Sequence, residues 1–268
     1  MTQSTKAFQA KWRTWRLSLS ELANISSSEF ICPSERELSF LNEIQDGVNV
    51  TKVTLPYPIC FYSIPEKQKS SDSPFRGENM AIFIDGEFGL NANNDAELHN
   101  ISSSAAIYRI HSDANSKKSL HLADAYHFDF FKGNVNKASP HPVFHVQRGI
   151  RLNDSVGRFK QALGKNLLTS KVDISDITQE EKNKLFGLGS FRIPTPQMDI
   201  LNLGAAIAGN QLVAANNTVQ WGHFNKLLSS IHGPLNELHS IVIPNGHNAK
   251  LFNPPRKCLS DWYSNFTH

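Results

Sequence analysis

The chain has 268 residues, 40% hydrophobic and 19% charged, with 27 basic against 24 acidic side chains and a formal net charge of +3. That length buries the core of one large domain or two small ones, and so weak a charge excludes a whole-chain electrostatic case for nucleic acid or an acidic partner. Cys32, Cys60 and Cys258 are odd in number and include no C-x-x-C pair, so neither a disulfide framework nor a thiolate zinc site is indicated.

Residues 1–10 are polar, without an apolar core and small-residue cleavage site, and no later stretch approaches a membrane span; a cytoplasmic protein without a transmembrane segment is expected. Phe8, Trp12, Trp15, Leu19 and Leu22 recur at helical spacing, with Lys6, Lys11, Arg13 and Arg16 on the other side, which predicts an amphipathic basic helix. Trp12, Arg13, Trp15 and Arg16 form one candidate partner surface, because aromatic anchors among basic residues suit both membrane surfaces and nucleic acid. The plainer alternative is that the apolar stripe docks on the domain and its charges face water.

A second helix is expected to start at Pro33-Ser34-Glu35 and run through Leu38, Leu41 and Ile44 to Gly47. Residues 48–55 and 59–64 then read as strands, rich in β-branched and aromatic side chains and punctuated by Pro56, Pro58 and Pro65. Residues 66–77 read as a polar loop. Asp85-Gly86, flanked by apolar runs, predicts a tight hairpin, and a further loop is expected over 91–100. Residues 105–110 and 120–131 continue the sheet.

The most specified stretch is 126–147. Tyr126, Phe128 and Phe130 alternate with His127, Asp129 and Phe131, and Phe144 and Val146 alternate with His145 and Gln147, which predicts a hairpin of two half-buried strands. A loop centred near Asn136 sets Phe128 opposite Phe144 and His127 opposite His145, with Asp129 and Gln147 beside them. Directly opposed Cβ atoms lie about 4.5–5.5 Å apart, so the two imidazoles would share a ligand, a proton or a water.

Helices are expected from there on: one through Val156, Phe159, Leu163 and Leu167, a short one after the capping box Thr178-Gln-Glu-Glu181, one opened by Thr195-Pro196 that runs to about Gly209, and one marked by Trp221, Phe224, Leu227, Leu228 and Ile231. Residues 241–243 suggest a strand, and Leu259, Trp262 and Phe266 a last helix. The expected architecture is therefore one α+β domain over 1–268. Helices occupy 1–47, a mostly antiparallel central sheet 48–152, and a mainly helical part 153–268.

The chain carries no Walker loop, dinucleotide glycine fingerprint, H-E-x-x-H or G-x-S-x-G elbow. Two chemistries remain for the histidine-rich hairpin. His127, Asp129 and His145 have the donor types for zinc or iron; His141 lies about 13 Å along an extended strand from His145, given about 3.3 Å per residue, and stays outside that set unless the strand bends at Pro142. Alternatively, His127 and His145 act as general acid and base in phosphodiester cleavage, with Asp129 orienting one imidazole and Arg192 stabilising the transition state, a scheme that needs no cofactor. Against both stands the reading that these are sheet residues chosen for hydrogen bonding and packing.

His141-Pro142-Val143-Phe144-His145 on a strand, followed downstream by Arg192-Ile193-Pro194 before a helix, resembles small uncharacterised bacterial proteins of toxin-antitoxin and phage-defence loci. The resemblance covers about the second half of the chain. It implies a cytoplasmic bacterial accessory or effector protein; with no catalytic motif in the chain, the expected function is a component of a defence or toxin-antitoxin-like system that binds a protein or nucleic-acid partner through the polar sheet face, Gln147 included, and the basic N-terminal helix, and the alternative is a histidine-dependent nuclease or phosphodiesterase. Oligomeric state is left open.

Overall fold

A computed structural model describes residues 3–45, 47–64, 79–91, 98–114, 117–131, 144–148, 155–165, 172–174, 193–194, 199–214, 216–231, 242–243 and 247–248. The expected short helix near 178–187, the terminal helix near 259–266, the loop 66–77, and the residues His141, Arg192, Thr195 and Pro196 lie outside these described residues.

The N-terminal helix α1 (Gln3–Ile25) buries the predicted stripe completely: Phe8, Trp12, Trp15, Leu19 and Leu22 are at most 1% exposed. Spacings of four and three residues bring these side chains onto one face, and that face meets the core. The helix stops where Ser27 takes φ 56°, while the Ser27 and Ser28 N–H groups return to the Asn24 and Ala23 carbonyls. This Schellman pattern satisfies two of the orphan carbonyls at the helix end.

Strands follow: β1 (Glu29–Ile31), β2 (Ser39–Gln45), β3 (Val48–Thr54), β4 (Ile59–Ile64), β5 (Asn79–Asn91), β6 (Leu98–Ser112), β7 (Lys118–Phe131) and β8 (Phe144–Arg148). Helix α2 (Ser155–Gly164), the short strands β9 (Val172–Ile174) and β10 (Ile193–Pro194), the helices α3 (Ile200–Leu212) and α4 (Thr218–Ile231), and the pair β11 (Val242–Ile243) and β12 (His247–Asn248) complete the described chain. The main sheet runs in the order β1-β4-β5-β6-β7-β8-β10; the β2–β3 hairpin joins it through β5, and β9 pairs in parallel with β7. All its other pairings are antiparallel, so the chain is α+β.

Both faces of the sheet are covered, and strand alternation assigns each residue to one of them. On one face, α1, α3 and α4 pack over Val53, Ile59, Phe61, Ile82, Ile84, Phe88, Ile101 and Ala105. On the other, Phe159, Ala162 and Leu163 of α2 sit over Cys60, Tyr62, Phe83, Ala106 and Tyr108, with Val172 and Ile174 of β9 beside them. Asp199 caps α3 by accepting from the Leu201 and Asn202 N–H groups at 2.9 and 3.0 Å. The indole N–H groups of α1 find carbonyls: Trp12 donates to Pro33 at 2.8 Å and Trp15 to Leu201 at 3.2 Å. Trp15 lies so close to Gly204 that a Cβ there would sit 2.5 Å from the ring.

Three expectations are corrected. The helical spacing of Leu38, Leu41 and Ile44 does not produce a helix: Glu37 accepts from the Ser34 N–H and hydroxyl to close a turn, and β2 then pairs with β3 along all of Ser39–Gln45. Helix at the N-terminal end therefore stops at Ile25 rather than 47. Asp85-Gly86 is no hairpin either, because β5 passes straight through it; Gly86, at φ 153°, is needed where a Cβ would collide with the Ser102 carbonyl of β6. Finally, Trp12 and Trp15 are core residues rather than a partner surface.

Candidate functional site

Four neighbouring strands place polar positions in register on the α2 face of the sheet. Asp85, Ser104, His127 and Gln147 form one row across β5, β6, β7 and β8, and Glu87, Ser102, Asp129 and His145 form the next. Paired residues of antiparallel strands share a face, so each row is continuous. Toward the other end of the same strands the rows become apolar, Phe83, Ala106 and Ala125, beneath Phe159 of α2.

His127 is the centre of the polar part. It is only 7% exposed, and its Nε2 lies 2.6 Å from Asp129 Oδ2, two residues along the strand on the same face. The carboxylate is close enough for an ion-pair contact but lies off the axis of a well-formed hydrogen bond; Nδ1 is buried and has no hydrogen-bond partner among the described residues. The other acids of the face are also paired. Arg158 of α2 donates to both Asp85 oxygens at 2.6 and 2.7 Å and to the Leu55 carbonyl at 2.9 Å, and Lys52 Nζ is 2.8 Å from Glu87. The bond to Asp85 holds the Arg158 guanidinium above its ordinary pKa. Asp85 and Glu87 thus each have a cationic partner, and Asp129 has the His127 imidazole beside it.

The predicted opposition of His127 and His145 does not occur. His127 faces Gln147, and His145 faces Asp129, a register displaced by two residues. The displacement keeps both histidine positions on one face but makes them diagonal, about 7–8 Å apart. On the opposite face this register pairs Tyr126 with Arg148, where Arg148 Nε donates to Asp124 Oδ1 at 2.9 Å and Tyr126 donates its hydroxyl proton to Asp124 Oδ2 at 2.7 Å. Phe128 consequently pairs with Val146 rather than Phe144. Only the backbone of His145 is among the described parts.

The other candidates separate. Arg16 lies 3.6 Å from Glu35, Arg13 is exposed, and the tryptophans between them are buried, so no aromatic and basic surface forms on α1. Among the described residues, no three His, Cys, Asp or Glu side chains come together as a metal group, and no helix is long and apolar enough to cross a membrane. A zinc or iron set built on His127 and Asp129 has no third donor among the described side chains.

Ser102, Ser104, Asp85, Glu87 and Arg158 are the site residues that motif reasoning passes over. Their signal is period two on adjacent strands: Ser102 and Ser104 in one, Asp85 and Glu87 in the next. Reading Asp85-Gly86 as a turn hides it. No protein-family model, no curated protein and no solved structure matches the chain.

Proposed function

We propose that the protein is a cytoplasmic binding component of a bacterial defence or toxin-antitoxin-like system and that the His127 face recognises its partner. The observation that supports this is the buried Nδ1 of His127, unpartnered among the described residues, in a row of polar side chains. A buried polar atom without a partner costs about 1–3 kcal/mol, and such atoms are few in folded proteins, so one kept at the centre of a polar face fits ligand recognition better than packing. A protein partner suits the face better than nucleic acid. Lys52 and Arg158 are already engaged by Glu87 and Asp85, leaving neither cation free for phosphates, which dominate nucleic-acid affinity. The system assignment rests on the resemblance of the His141–His145 and Arg192–Pro194 segments.

The test is affinity purification of the tagged chain from its host, in parallel with His127→Phe and Asp129→Asn, followed by mass spectrometry and nucleic-acid analysis. A stoichiometric protein lost from both variants, with circular dichroism unchanged, is the expected result. Identical copurification by all three chains overturns the site, and a bound nucleic acid in place of protein overturns the partner class.

A second reading, a histidine-dependent nuclease or phosphodiesterase, draws support from one observation: a carboxylate beside one imidazole nitrogen, the other making no hydrogen bond among the described residues, is the arrangement of an oriented general base. Cleavage of RNA, DNA or a cyclic nucleotide by the pure protein, abolished by His127→Ala, would favour it. Activity in chelator would then indicate acid and base chemistry, and loss of activity with stoichiometric zinc or iron would indicate a metal.

A further inference from the structure

We infer that β2 is an interface at which two copies of this chain join their sheets edge to edge. Among the described residues β2 pairs with β3 alone, so no described strand takes the backbone donors and acceptors of its outer edge. Natural edge strands are usually guarded by lysine, proline, bulges or several charges. Ser39–Gln45, SFLNEIQ, contains neither lysine nor proline and one charged side chain, Glu43, which accepts a hydrogen bond from the Gln45 amide. It also carries the two most exposed large hydrophobic side chains among the described residues, Ile44 at 74% and Leu41 at 59%.

The occupant follows from symmetry. A two-fold axis perpendicular to the sheet makes the two β2 strands antiparallel and opposes residues whose side chains lie on the same face, that is, residue numbers of the same parity. Centring on Glu43 sets that carboxylate against its own copy, and directly opposed like charges are destabilising. Centring on Leu41 leaves Ile44 beyond the end of the other strand. Centring on Asn42 uses the whole of Ser39–Gln45: Ser39 opposes Gln45, Phe40 opposes Ile44, Leu41 opposes Glu43, and Asn42 meets itself.

In that register the exposed Ile44 of each copy lies against Phe40 of the other. Phe40 pairs with Val53 and is packed against the core beneath α1, so the helix-covered core would run on across the junction. No charge opposes a like charge, and both exposed aliphatic residues gain a cross-strand neighbour. A single pair of short strands sits at the small end of stable interfaces, which makes the dimer concentration-dependent.

Sedimentation velocity of the full chain over a wide concentration range tests this, together with Ile44→Lys, a change at an exposed position that leaves circular dichroism unaltered. A reversible dimer is expected, with dissociation raised at least about tenfold by Ile44→Lys, the equivalent of about 1.4 kcal/mol. Asn42→Cys treated with a short bismaleimide is expected to give a cross-linked peptide carrying position 42 from both copies. A chain monomeric throughout, a dimer indifferent to Ile44→Lys, or cross-links joining only native cysteines would overturn the inference. So would a different protein occupying β2 while the pure chain stays monomeric.

Discussion

His127 Nε2 and Asp129 Oδ2 lie 2.6 Å apart on β7, yet their rows lead to different neighbours, Gln147 for the histidine and His145 for the aspartate. The carboxylate thus stands beside both histidine positions. Asp129→Ala removes the carboxylate that lies against the buried imidazole, and we expect it to cost about 1–3 kcal/mol. His127→Phe in the same background removes the stranded group and should recover part of that loss. Urea unfolding of the two single variants and the double variant checks this; strict additivity would show that the pair is not coupled.

Arg158 ties α2 to the sheet through Asp85 and the Leu55 carbonyl. Arg158→Met keeps much of the aliphatic stem but strands both acceptors. The expected destabilisation is about 1–3 kcal/mol, reduced to the extent that water reaches the partly exposed pair. Arg158→Lys should rescue only a fraction, because one ammonium group cannot reproduce a planar two-point bond to Asp85 together with the bond to Leu55. Equal stability of Arg158→Lys and the parent chain would refute this account.

Alkaline pH should loosen the β7–β8 clamp. Burial, and then the hydrogen bond and negative charge of Asp124, push the Tyr126 phenol up to about 12. The ordinary phenol value is about 10, so the folded chain holds Tyr126 in its neutral form. Its contribution to stability is complete below pH about 10 and is lost as the pH rises from there toward 12. Thermal unfolding followed across that window should decline less steeply for Tyr126→Phe than for the parent chain, and tyrosinate absorbance at the start of the window should be unchanged by the substitution. A parallel decline in the two chains would exclude this role for Tyr126.

Local pattern carried some elements and not others. β4 coincides with the predicted 59–64 because an apolar, β-branched run bounded by prolines has few other outcomes. α1 was legible for the same kind of reason, its stripe being long and regular. β2 was not, since Leu38, Leu41 and Ile44 mimic a helical period and only the partner strand β3, supplied by the following residues, decides against it. The hairpin at 126–147 was recognisable as two strands, but its register goes with the contact between Asp124 and Arg148, which a count centred on the loop does not include. Nor could alternation alone reveal that His127 is more buried than Phe128, because both faces of this sheet are covered.

The bond from the Trp15 indole to the Leu201 carbonyl spans 186 positions of the chain, as does that from Ser26 Oγ to the Leu212 carbonyl. During synthesis α1 emerges well before its packing partner α3. At about 5–20 residues per second, the two tryptophans wait roughly 10–40 s for the surface that covers them. A newly made N-terminal helix with an uncovered aromatic stripe is a natural client for a chaperone, and a chain truncated before α3 should be retained by one rather than accumulate as a folded fragment.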